Sequence, residues 1–146
     1  MPIKSFRGLM TTGDIITIPL STNNGSIGYK ITKFKVMSNT PGDADYENIF
    51  KIFSIPQTTA NTTVDFSDNT LLAAAYEKEQ ANTTSPYETS VVFDNMTFNQ
   101  DVYVTLAGGA NDKSNYYIEL EQVRLDLSEN TVATLKDIRN IQANQL

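Results

Sequence analysis

The stretch from Asn115 to Leu127 constrains the fold more than any other part of this sequence. It is rich in β-branched and aromatic residues and its polarity alternates, which predicts a long β-strand. Apolar residues occupy even positions up to Leu120 and odd positions from Val123 onwards, so the pattern slips by one residue at Glu121–Gln122. Either a β-bulge at that point keeps one face in the core, or the strand crosses between the two sheets of a sandwich. Both interpretations predict a curved all-β body.

A second long strand, predicted over Gly28 to Ser38, shows the same kind of slip at Thr32–Lys33. We therefore predict that the two strands are neighbours that bend at the same level. Lys30, Lys33 and Lys35 flank the slip. They are either solvated lysines that protect an open sheet from edge pairing, or a basic stripe that meets an acidic partner.

Further strands are predicted, in chain order, at residues 15–20, 47–55, 71–76, 88–93 and 100–106. Pro19 assigns the first of these to a sheet edge. The segment 47–55 is apolar on both sides, which favours a central strand, with a buried helix as the alternative. Alanines at 73–75 leave a short helix as the alternative there. The Asn24-Gly25 pair is a hairpin signal, and the short loop 107–114 predicts a hairpin between 100–106 and the organising strand.

The two ends of the chain are predicted to be arms, which leaves a β-sandwich domain at 13–127. Residues 1–12 mix apolar and basic side chains without a clean period, so we expect an arm that docks on its own body or on a neighbour. At 128–146, Ser128 resembles a helix N-cap and apolar residues then recur every three positions, which predicts a short helix or extended arm. It packs on its own sandwich or binds another subunit. The interface candidates in the arms are Ile3, Phe6, Leu9, Val132, Leu135, Ile138 and Ile141.

Composition excludes several classes of chemistry. The 146 residues suit one domain, and the net charge of −6 argues against binding to nucleic acid through phosphates. The chain has no cysteine and no histidine, which excludes disulfides, His-based nucleophile systems and imidazole-bound zinc. Glu119 and Glu121 share a strand face and are the candidates for a two-carboxylate glycosidase, but such pairs are usually solvent-facing. We expect no enzyme activity, no cofactor and no bound metal.

Four segments resemble a family of small virion structural proteins of marine tailed bacteriophages: Gly28–Phe34, Phe98–Val104, Asn115–Glu121 and Thr131–Asn140. The resemblance covers most of the chain. It implies a capsid decoration (cement) protein that binds the lattice of the major capsid protein on the outer capsid surface, with self-association into a homo-oligomer. A tail or head–tail accessory subunit is the alternative. The family carries no catalytic motif, and the resemblance assigns no functional residue.

The fold predicted from these observations is an all-β, antiparallel β-sandwich of jelly-roll-like type, with an N-terminal arm and a short C-terminal helix or arm. The start of the chain lacks the apolar core of a signal peptide and no segment is apolar enough to span a membrane. We therefore expect synthesis in a host cytoplasm and no membrane partner. Seven tyrosines leave a carbohydrate-binding surface as a rival function, although the chain has no tryptophan.

Overall fold

The computed structural model of the protein describes residues 2–20, 26–41, 45–80, 87–109 and 111–125. Every regular element in this part of the chain is a β-strand. The strands are β1 Ile3–Thr11, β2 Ile15–Ile18, β3 Ile27–Ser38, β4 Tyr46–Phe53, β5 Leu71–Glu79, β6 Tyr87–Phe93, β7 Val102–Gly108 and β8 Lys113–Arg124.

The strands form two antiparallel sheets. One has three strands in the order β1-β8-β3, and the other has five in the order β2-β7-β4-β5-β6. The strand that is apolar on both sides, β4, lies in the middle of the larger sheet, as its sequence predicts. β2 lies at an edge, as Pro19 predicts, and the alanine-rich segment is strand β5 rather than a helix.

The two sheets share one hydrophobic core, to which both contribute fully buried side chains. The ring of Phe50 from β4 meets Phe34 from β3 edge-on at 6.5 Å and Tyr116 from β8 at 6.1 Å. These edge-to-face contacts join the sheets across the core, because Phe50 belongs to the larger sheet and both of its partners to the smaller one.

The slip predicted in the second long strand is present, and it is a β-bulge. β3 pairs with β8 along its length, and the register shifts between Ile31 and Lys33, which leaves Thr32 as the extra residue. Because of this bulge, the buried side chains change from odd positions (Tyr29, Ile31) to even ones, beginning at Phe34. The two long strands are also neighbours, as predicted, but the expected matching irregularity at the same level is absent, because β3 carries the only register shift in their described pairing.

The slip predicted in β8 has a different explanation from either alternative offered by the sequence. β8 pairs continuously through Glu121 and Gln122 and stays in one sheet, so neither a bulge at that point nor a sheet crossing occurs. Its buried face simply ends at Leu120. Val123 lies half-buried on the opposite side of the sheet, and Leu125 is buried beyond the end of the strand.

Both predicted hairpins are wrong. β7 and β8 belong to different sheets, and so do β2 and β3. β7 already pairs with β2 along one edge and with β4 along the other, so neither edge is left for β8. The segment after β7 therefore crosses from one sheet to the other instead of folding β8 back onto β7. The Asn-Gly pair lies outside the described residues.

The segment predicted as an N-terminal arm lies on its own body, where residues 3–11 form β1 and pair with β8 throughout. This strand is integral to the smaller sheet. The predicted C-terminal helix or arm, with Val132, Leu135, Ile138 and Ile141, lies outside the described residues.

A buried carboxylate joins the sheets at one end of the core. Glu77 of β5 is 2% exposed and accepts the backbone N–H of Ser38 at 2.9 Å and the hydroxyl of Tyr46 at 3.2 Å, both on Oε1. The hydroxyl of Ser114 donates to its Oε2 at 3.3 Å. Because Ser38 and Ser114 belong to the smaller sheet, these bonds connect the two layers. Burial, reinforced by the Glu77 charge, raises the pKa of Tyr46.

A buried cation fixes the long connection between β4 and β5. Lys51 is 4% exposed, and its Nζ donates to Asn61 Oδ1 at 2.8 Å and to the carbonyl of Thr63 at 2.6 Å. It lies on the side of β4 away from the core, so these bonds hold the connection against that side of the larger sheet. Burial lowers the pKa of Lys51, while the charge of Asp68 acts in the opposite direction.

Candidate interaction face

The solvent-facing side of the three-stranded sheet, called the outer face below, is the strongest candidate for a functional site. In an antiparallel pair, directly opposed residues point to the same side. The side that carries Met10, Ile31 and Leu120 is buried in the core, so their sequence neighbours face outwards. The outer face is formed by Ile3, Ser5, Arg7 and Leu9 of β1, Lys113, Asn115, Tyr117, Glu119 and Glu121 of β8, and Lys30, Lys33, Lys35 and Met37 of β3.

The outer face is basic although the whole chain is acidic. Its cations are Arg7, Lys30, Lys33, Lys35 and Lys113, against the carboxylates of Glu119 and Glu121. The net charge of the chain is −6. Lysines thus line the β3 side of the face, and this side attracts acidic surfaces.

The two carboxylates in the middle of the outer face are both engaged. The Lys30 ammonium lies 3.8 Å from Glu121 Oε2. The Tyr117 hydroxyl donates to Glu119 Oε1 at 2.8 Å, and this bond raises the pKa of Tyr117. Such half-exposed pairs contribute little to stability, so they chiefly orient the side chains of the face.

Exposed apolar side chains mark both ends of the outer face. Ile3 is 54% exposed, Leu9 52% and Met37 60%. Leu9 and Met37 lie on either side of Asn115 in one row across the sheet. An open depression of about 650 Å³ lies there, and its outward-facing lining includes Arg7, Leu9, Lys35, Met37 and Tyr117. An apolar end beside a basic row is the composition expected of a surface that binds another protein.

The structure brings together five of the interface candidates taken from the sequence. Ile3 and Leu9 from one segment and Lys30, Lys33 and Lys35 from another lie on the same face, on either side of β8. Phe6 points to the other side of the sheet, where it is partly buried against the core. The candidates after residue 125 lie outside the described residues.

Sequence reasoning missed Arg7, Met37 and Tyr117 as members of this face. The parity of residue numbers identifies them. Arg7 and Tyr117 are odd-numbered residues that oppose each other on β1 and β8. Once the bulge at Thr32 is placed, Met37 shares one side of β3 with Lys33 and Lys35. It also missed exposed apolar residues at the far end of the larger sheet, where Phe66 is 69% exposed beside a cavity of about 280 Å³.

No family model, curated protein or solved structure matches the chain. Among the described residues, no group of three or more carboxylate, histidine or cysteine side chains is arranged to hold a metal ion. The same part of the chain contains no helix long and apolar enough to cross a membrane.

Proposed function

We propose that this chain is a non-enzymatic virion structural protein, a capsid decoration protein that binds the lattice of the major capsid protein through its outer face. The virion setting comes from the family resemblance. The geometry supports the outer face as the binding surface, and a matching site on the lattice would combine an acidic patch with an apolar contact. We place the bound protein on the outer capsid surface.

One observation carries the choice of surface. Five interface candidates from two segments far apart in the sequence converge on one side of a three-stranded sheet. The opposite side of that sheet is anchored in the core, so the face is held rigidly. A rigid face loses little conformational freedom on binding, which favours a subunit that must dock in a fixed orientation many times over.

The strand order supports a jelly-roll-like sandwich as the architecture behind this role. A jelly roll is an eight-stranded antiparallel hairpin wrapped into two sheets, which pairs the first strand with the last and works inwards. Here β1 pairs with β8, β2 with β7 and β4 with β5. β6 departs from the scheme, because it pairs with β5 and not with β3. Jelly rolls are frequent in capsid and lectin domains, which is an analogy of fold alone.

Co-sedimentation with undecorated phage heads tests the proposal. Lys33→Glu reverses one charge in the middle of the basic row, and we expect it to weaken loading on heads by about tenfold, equivalent to about 1.4 kcal/mol. Binding of the unaltered protein should also weaken as salt is raised, because exposed charges are screened.

Lys4→Glu is the matched control. It makes the same charge change in the same sheet, but Lys4 lies on the side away from the outer face, with its ammonium 5.4 Å from the ring of Tyr29. We expect it to load almost normally. Equal loading by the two variants would refute the choice of surface, and an unaltered protein that ignores heads would refute the decoration role.

The depression at the end of the outer face favours a second candidate, a tail or head–tail accessory subunit with a carbohydrate-binding surface. Its volume of about 650 Å³ and the outward Tyr117 suit stacking against a sugar ring. A glycan array would show hits that Tyr117→Ala removes. An array without hits would dismiss this candidate.

A further inference from the structure

The free edge of β1 is the most regular open edge in the described structure. β2 has four residues, and β6 has seven. β3 is longer but carries the bulge at Thr32, which interrupts its edge. β1 has nine residues and pairs with β8 without a register shift. A long regular edge presents a row of backbone donors and acceptors that another strand can use.

The hydrogen-bond pattern identifies which residues point to this edge. The N–H of Gln122 donates to the carbonyl of Pro2, and the N–H of Thr12 donates to the carbonyl of Asp112, both at 2.9 Å. Even-numbered residues of β1 therefore bond to β8. Successive residues of a strand direct their backbone N–H and C=O groups to opposite edges. The N–H and C=O groups of the odd-numbered residues Ile3, Ser5, Arg7 and Leu9 therefore point to the free edge.

We propose that a second copy of this chain binds at the edge of β1, with the two β1 strands antiparallel about a two-fold axis at Phe6. In that register Ile3 faces the partner's Leu9, Ser5 faces the partner's Arg7, and Phe6 faces the partner's Phe6. About eight backbone hydrogen bonds form, and the two smaller sheets become one sheet of six strands. The inference does not depend on a virion role.

The side chains of β1 select this register over its neighbours. Ile3 and Leu9 are 54% and 52% exposed in the single chain, and here each covers the other on the outer face. Lys4 faces the partner's Gly8, so no cation opposes a cation. The neighbouring registers differ by a shift of two residues. A shift in one direction places Arg7 opposite the partner's Arg7, and a shift in the other direction places Ile3 opposite the partner's Arg7. Like charges directly opposite each other are unfavourable.

The partner is a second copy rather than an unrelated peptide because the strand is complementary to itself. In an isologous contact, if residue i of one copy faces residue j of the other, then j of the first copy also faces i of the second. The pairing about Phe6 meets this condition, with Ile3 opposite Leu9 and both cations opposite uncharged residues. It also extends the basic row symmetrically, since each copy keeps its own β3 lysines at the far edge of the joined sheet.

Cysteine cross-linking tests the register directly, since the chain has no cysteine of its own. Phe6→Cys places two thiols opposite each other at a non-hydrogen-bonded pair, where Cα atoms lie about 4.5 Å apart, within disulfide range. We expect it to oxidise to a covalent dimer. Lys4→Cys is the matched control and should stay unlinked, because its counterpart lies four residues away along the strand. Equal cross-linking of both variants, or of neither, would overturn the proposal.

A charge test at Ser5 remains decisive if Phe6→Cys fails to fold. Ser5→Lys places a second cation opposite the partner's Arg7 and should raise the Kd of the dimer, measured by sedimentation, by about three- to tenfold. Ser5→Glu should lower the Kd by a similar factor. Each substitution changes two symmetric pairs at once, because Ser5 faces Arg7 in both copies. Within one chain Ser5 lies opposite Glu119, so folding stability should change in the opposite sense. A monomeric unaltered protein, or Kd values that follow folding stability, would refute the proposal.

Discussion

Replacing Glu77 tests whether hydrogen bonds, rather than charge, join the two sheets at that end of the core. Its Oε1 accepts two bonds, from the Ser38 N–H and the Tyr46 hydroxyl, whereas Oε2 accepts one, from Ser114. A glutamine can keep the first two, because its amide oxygen is an equivalent acceptor. Its amide N–H₂ can then donate to Ser114, since a hydroxyl accepts as well as donates. An alanine keeps none of the three.

The expected costs follow from this difference. Hydrogen bonds to a charged group are worth about 1.5–3 kcal/mol each and neutral ones about 0.5–1.5 kcal/mol. Glu77→Ala leaves the buried N–H of Ser38 without its acceptor, and water entering the space recovers part of the loss, so we expect a cost of about 3–5 kcal/mol. Glu77→Gln retains the geometry and removes a buried charge, so we expect about 1 kcal/mol.

Urea unfolding at neutral pH measures both free energies. Glu88→Ala is the control, because Glu88 lies on the neighbouring strand β6 in an exposed ion pair with Lys78, and should cost less than about 1 kcal/mol. If Glu77→Gln is as damaging as Glu77→Ala, the charge and not the bonding geometry holds this end together. If Glu77→Ala costs under about 1 kcal/mol, the cluster does not join the sheets.

Three further predictions concern the same body. Burial raises the pKa of Tyr46 above its ordinary value of 10.0, so the unfolded chain loses this proton first and stability falls as the pH rises above 10. In Tyr46→Phe the free energy of unfolding should therefore fall less steeply, by up to about 1.4 kcal/mol per pH unit above pH 10, in urea unfolding at pH 8 and pH 11. Phe50→Ala, at a fully buried position, should cost about 3–5 kcal/mol by the same method, and a cost below about 1 kcal/mol would contradict the packing. Gly13 and Gly108 both have positive φ, but only at Gly108 would an added Cβ meet the backbone of β4, so Gly108→Ala should lower Tm clearly more than Gly13→Ala; equal shifts would refute this.

The sequence predicts strands well where side-chain alternation is local. The slip at Thr32 appears in the letters because a bulge changes which residues of one strand are buried. The central position of β4 follows from its apolar residues on both sides. The similar slip at Glu121 led to a wrong prediction. Val123 is an apolar residue on the solvent side, at an odd-numbered position where a core residue would stand if a bulge preceded it.

Partner choice between strands could not be predicted, because it depends on contacts between distant segments. The loop after β7 is short enough for a hairpin, yet both edges of β7 are already paired, one with β2 and the other with β4. The roles of Glu77 and Lys51 were missed for the same reason, because a buried charge is recognisable only by its partners. The outer face was half predicted: the lysine row is visible in the sequence, whereas Arg7 and Met37 join it only through register.

Pairing of the first described strand with the last has a consequence for synthesis of the chain. β1 leaves the ribosome before β8 and acquires its partner only when β8 follows, which at roughly 5–20 residues per second takes on the order of ten seconds. β3 waits for the same strand. The smaller sheet therefore forms only after β8 has been made, and its folding must close long loops, which is slow. A chain that stops short of residue 113 has no strand to join β1 to β3, so an incomplete product cannot display the outer face.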